Sequence, residues 1–141
     1  MSYTANAEET INAPSGKVWD ALTNPEMVKQ YLYGTDMSVT EWAVGGQLRY
    51  KGEWQGKAYE DKGEIKEIEP GKKLVTTYWS SAAGKPDAPE NYQTVAYEIF
   101  PEGGSTKLTI TQTTNDSQES ADHSAANWKQ VMGGMKKLLE Q

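Results

Sequence analysis

Trp128, Met132 and Met135 recur at helical spacing near the C-terminus, while Tyr50, Trp54, Tyr78 and Tyr97 stand in alternating segments upstream. Tyrosine hydroxyls set among indole and thioether surface make a half-polar wall. Such a wall suits a flat, mostly apolar molecule with a few polar groups, and methionine adapts its shape to what it meets. The aromatic inventory points the same way: five Trp and eight Tyr against one Phe. The plainer reading is packing, with the helical stripe plugging a sheet and tyrosine tips reaching solvent.

Residues for acid–base or nucleophilic work are sparse. His123 is the one histidine, beside Asp122 and without an evident nucleophile to serve. There is no cysteine, which excludes disulfides, thiolate metal sites and thiol nucleophiles. The carboxylates lack the spacing of a calcium loop, so neither a metal nor a cofactor is expected. Glu60-Asp61 and the run Glu64 to Glu69 alternate with lysines, the pattern of a solvated strand face. On that reading no carboxylate points inward. Net charge is −6 and Arg49 is the only arginine; lysines scattered among acids argue against nucleic acid and against an anionic membrane surface as partners.

These side chains need elements to hold them. The apolar residues from Ala121 through Ala125, Trp128, Val131, Met132, Met135, Leu138 and Leu139 trace one stripe, predicting a single amphipathic helix from Ser120 to Gln141. Tyr3 to Ile11 alternates and stops before Pro14, a first strand. Two short helices follow, Ser15 to Thr23 and Pro25 to Tyr33, with Asn24-Pro25 as cap and first position. From residue 36 onward strands are separated by turn signals: Met37 to Ala43, Gln47 to Trp54, Lys57 to Glu69, Lys72 to Ser81, Tyr92 to Phe100 and Thr106 to Thr113. Gly45-Gly46 and Gly103-Gly104 read as hairpin turns rather than phosphate cradles, and Ala82 to Asn91 is the one longer loop. In Gln47 to Trp54, Leu48, Tyr50 and Trp54 share a face opposite Arg49 and Lys51. One of Tyr78 and Trp79 must look inward, and Val95, Tyr97 and Ile99 form the inward face of their strand.

The architecture expected is α+β. A curved antiparallel sheet of about six to seven strands wraps a long C-terminal helix, with two short helices after strand one. Such a helix-grip arrangement leaves a tunnel, because a helix about 10 Å wide cannot fill the whole concavity. The 141 residues fit one domain, 1–141. No stretch of about 18 apolar residues spans a bilayer and no apolar leader precedes the first strand, so cytoplasmic residence is expected.

Ile11-Asn12-Ala13-Pro14 with Val18-Trp19-Asp20-Ala21-Leu22-Thr23-Asn24-Pro25 resembles the opening of the START-like (SRPBCC) superfamily. More narrowly, the chain resembles the family named for the C-terminal domain of the activator of the ninety-kilodalton heat-shock protein ATPase. Trp42-Ala43-Val44-Gly45-Gly46, Glu67-Ile68-Glu69-Pro70-Gly71-Lys72-Lys73-Leu74 and the closing Asn127-Trp128 to Leu138-Leu139-Glu140 extend the likeness over essentially the whole chain. Asn127 stands where the closing motif usually has glycine.

Three functions follow as expectations. The first is a protein binding a small hydrophobic or aromatic molecule between sheet and terminal helix, lined by Tyr50, Trp54, Tyr78, Tyr97, Trp128, Met132 and Met135. The second, which the resemblance implies, is a co-chaperone-like module whose outer surface meets a chaperone. The third is a cyclase- or hydratase-type enzyme, as some relatives in the superfamily are; it needs a buried carboxyl of raised pKa beside the tyrosines. A monomer or a weak homodimer is expected.

Overall fold

The structure, a computed structural model, describes residues 3–31, 35–54, 56–80, 86–115 and 117–140. In chain order these form β1 (Tyr3–Ile11), α1 (Ser15–Thr23), α2 (Pro25–Tyr31), β2 (Asp36–Val39), β3 (Gln47–Trp54) and β4 (Lys57–Glu69). They continue with β5 (Lys73–Ser80), a 3-10 turn (Pro89–Asn91), β6 (Gln93–Glu102), β7 (Ser105–Asn115) and α3 (Gln118–Leu139). All seven strands join one curved antiparallel sheet in the order β1-β7-β6-β5-β4-β3-β2. The α+β expectation holds, and so does the tandem of short helices after β1.

Period-two alternation assembles the sheet. Tight turns return β4 to β5 and β6 to β7, the latter at Gly103-Gly104, where Gly103 sits at φ +69. β1 is the exception, pairing with the last strand from Thr10↔Lys107 back to Tyr3↔Asn115. The connection between β2 and β3 differs from the expected hairpin. β2 stops at Val39, and Gly45 and Gly46 hydrogen-bond instead to Ile65 of β4, each at 2.9 Å. A side chain at Gly46 would run into the Glu41 carbonyl oxygen, so glycine is required by close approach. Of the other expected boundaries, α3 starts two residues earlier because the Ser117 hydroxyl accepts from Ser120 N–H and caps it. Leu32, Tyr33, Ser81, residues 82–85 of the expected loop, and Gln141 lie outside the described residues.

The helix stripe settles onto the inner face of the sheet. Met132 and Met135 are wholly buried in one cluster with Val95, Ile99, Leu108 and Ile110. Burying each such side chain is worth about 1.5–3 kcal/mol, so the stripe supplies much of the helix's stability. α1 and α2 close one end through Val18, Ala21, Leu22, Val28 and Tyr31, all in that cluster. Gly134 packs against α2, where an added Cβ would meet the Tyr31 carbonyl oxygen at 3.5 Å; Gly133 faces open space. Of the two, Gly134 alone lies at the contact with α2.

Candidate functional site

Register decides which side chains share the concave face, since directly paired residues point the same way. Tyr50 of β3 pairs with Asp61 of β4, and Asp61 pairs with Ser80 of β5. Tyr78 pairs with Gln93, Leu74 with Tyr97, and Val95 with Gln112. Tyr50, Asp61, Tyr78, Gln93, Tyr97 and Gln112 therefore line one continuous surface across five strands. Gly52 makes room within it: a Cβ there would come within 2.7 Å of the Tyr59 hydroxyl, so the Tyr59 ring lies across the strand at that point. The Tyr59 hydroxyl meets that of Thr35.

α3 closes over this face through Trp128. Its indole N–H donates to Gln112 Oε1 at 2.7 Å, and Gln112 Nε2 donates to Gln93 Oε1 at 2.6 Å. The indole also meets the Tyr97 ring edge-on, with centroids 5.8 Å apart. Tyr50, Tyr78, Tyr97 and Trp128 each keep part of their surface accessible while packing against the core.

The expected site residues divide accordingly. Tyr50, Tyr78, Tyr97 and Trp128 come together on the concave side. Met132 and Met135, at 0% and 1% exposure, are packed beside them with no surface left over. Trp54 ends β3, and its side chain lies outside the described residues. Trp79 turns to the opposite face, where it stacks on Tyr92 at 6.4 Å and donates from Nε1 to the Pro86 carbonyl. His123 is exposed on α3, and Arg49 faces outward toward Glu60.

Asp61 corrects the sequence reading of that strand. The alternation of acids and lysines over Lys57–Glu69 predicts a solvated face for every carboxylate, but Asp61 points inward with Tyr50. Its phase is written in the sequence: Asp61 has the same parity as Tyr59 and the fully buried Ile65. The Tyr78 hydroxyl donates to Asp61 Oδ2 at 3.1 Å, and Oδ1 is buried with no hydrogen-bond partner among the described residues. Burial raises the Asp61 pKa above the usual carboxylate range, against hydrogen bonds from Ser80 and Tyr78 that lower it. Burial first, and the Asp61 charge second, push Tyr50 up to about 12. The same order of causes raises Tyr78. Tyr97 is raised by burial and then by Tyr50, Tyr31, Tyr78 and Asp61. All three tyrosines stay neutral at physiological pH.

Comparison with known proteins agrees with this architecture. Among curated proteins, none matches the chain. The solution structure of ChR145 from Cytophaga hutchinsonii is 40% identical, covering 98% of this chain and 94% of that one, with a TM-score of 0.83. The Aha1 dimer from Colwellia psychrerythraea shares the fold at 18% identity, covering 98% and 96% of the two chains, with a TM-score of 0.75. DynU16, from the dynemicin biosynthetic locus, also shares it at 18% identity and TM-score 0.78; 98% of this chain covers 47% of that one. Residues 12–140 match the family described as Activator of Hsp90 ATPase homolog 1-like protein, and the chain belongs to that family.

Proposed function

We propose that the protein binds a small aromatic or hydrophobic molecule between the concave face of the sheet and α3. One observation carries this reading. Tyr50, Tyr78 and Tyr97 share the concave face with Trp128, packed against the core while each keeps accessible surface. Deep and reachable together describe the wall of a pocket. The lining is Tyr50, Tyr78, Tyr97 and Trp128, with Met132 and Met135 as an adaptable backing and Trp54 at the end of β3. The test is a thermal-shift screen of planar aromatics and lipids on the wild type and on Tyr97→Ala. A ligand that raises the melting temperature of the first and not the second supports the reading. No response to any of them counts against it.

The family description favours a second reading, a module that meets a chaperone through its outer surface. Among the described residues, Phe100 and Val44, at 44% and 66% exposure, are the large apolar side chains that surface would offer. Chaperone ATPase rate measured with and without the protein decides it; an unchanged rate with no co-precipitation removes the reading. An enzyme of the cyclase or hydratase class has in Asp61 the inward carboxyl it needs, and turnover of the bound ligand would reveal it. We take the protein to be a cytoplasmic monomer or weak homodimer, which light scattering across concentration would check. No described helix is long and apolar enough to cross a membrane.

A further inference from the structure

The Asp61 carboxyl sits among hydrogen-bond donors and lacks a countercharge among the described residues. The groups hydrogen-bonded to it, the Tyr78 and Ser80 hydroxyls, act as donors to the carboxylate. Its Oδ1 is buried and has no partner among the described residues. A buried carboxylate ordinarily has a cation beside it. Here the neighbouring cations are on the other side of the sheet. Arg49 and Lys51 engage Glu60, Lys62 engages Glu60 and Asp87, and Lys73 engages Glu67. Among the described residues, no lysine or arginine acts on Asp61, Tyr50, Tyr78 or Tyr97. What faces the carboxylate is aromatic: Tyr50 from β3, Tyr78 from β5 and Tyr97 from β6, with Tyr31 of α2 near Tyr50 and Tyr97.

We propose that Asp61 is the anchor for a ligand that carries a protonated amine on an aromatic body. The proposal rests on the binding reading above and narrows it to a chemical class. The ammonium supplies the missing charge and offers N–H donors to the carboxylate, while the aromatic body lies among the tyrosines and Trp128. Tyrosine faces add cation–π attraction, and the net charge of −6 attracts a cation at long range. A phenol of the same shape offers one O–H donor but neither the charge nor the cation–π attraction, and a carboxylic acid would be repelled.

The experiment uses a matched pair of probes, 2-naphthylmethylamine and 2-naphthylmethanol, titrated calorimetrically into the wild type and Asp61→Asn at pH 7.5. The amine should bind the wild type about tenfold or more tightly than the alcohol, the size expected of a charge-assisted hydrogen bond. In Asp61→Asn that preference should vanish, with the amine losing far more affinity than the alcohol. Acidifying the wild-type titrations should weaken the amine far more than the alcohol, since burial raises the Asp61 pKa. The facing tyrosines stay protonated throughout, and Asp61 is the inward group that takes up a proton. If the alcohol binds as well as the amine, the pocket stands and the anchor falls. The anchor falls equally if the preference survives Asp61→Asn. If neither probe binds the wild type, the pocket reading falls and the anchor with it.

Discussion

The Trp128 indole N–H donates to Gln112 Oε1 at 2.7 Å, tying the middle of α3 to the centre of β7 through a glutamine that is only 5% exposed. Through Gln112 the tie continues to Gln93 of β6. Buried polar links of this kind fix one orientation of helix against sheet, because sliding the helix would leave both partners unsatisfied.

Replacing Gln112 by Leu keeps the volume and removes both links. The expected loss is about 1–3 kcal/mol, the range for stranding a buried donor. Urea unfolding with an unchanged slope checks it; no change would mean that the glutamine pair contributes nothing net.

Asp61→Asn should stabilise the ligand-free protein at neutral pH. The pKa of Asp61 is raised on folding, so the folded state holds the proton more tightly than the unfolded one. Its contribution to stability is then fully present below the ordinary carboxylate pKa and is lost as pH rises through the folded value. The advantage of Asp61→Asn over wild type should therefore shrink steadily on acidification. Unfolding curves of the two proteins at several pH values measure the difference, and a gap independent of pH would contradict the assignment.

Gly133→Ala should raise stability by about 0.5–1 kcal/mol, since it removes the helix-interior glycine penalty where the added methyl group meets nothing within 4 Å. Ligand affinity should not move, because this position faces away from the sheet. A destabilised Gly133→Ala would show that α3 relies on flexibility there.

Glu140 latches the end of α3. Its Oε2 accepts from the Asn12 backbone N–H at 2.9 Å and from Lys136 Nζ at 2.6 Å, and Lys136 also reaches the Thr10 carbonyl. The Asn12 N–H first, and Lys136 second, lower the Glu140 pKa. The latch is thus present above the ordinary glutamate value and is lost as pH falls through the lowered one. Amide exchange in the last turn should speed up in Glu140→Gln, with exchange at Met132 unchanged.

Much of this fold is legible from spacing alone. The α3 stripe, the Leu48–Tyr50 face and the Val95–Tyr97–Ile99 face all stand where periodicity places them, because each carries several large apolar side chains in phase. What escapes has a physical cause. Asp61 is masked by flanking Glu60 and Lys62, whose charges suggest a wet face, although Tyr59 and Ile65 set the opposite phase for the odd positions. Gln93 and Gln112 are polar residues on apolar faces, and only the register that opposes them to Trp128 explains why they are tolerated. The short β2 reflects backbone bonds from Gly45 and Gly46 to Ile65, a long-range pairing that local turn chemistry does not reveal.

The central claim, a ligand held between the concave face and α3, is tested most directly by intermolecular nuclear Overhauser contacts with a bound naphthyl probe. Contacts are expected from the probe to the ring protons of Tyr50, Tyr97 and Trp128, and none to Trp79 or Tyr92 on the opposite face. Contacts confined to Trp79 and Tyr92 at saturating probe would contradict it.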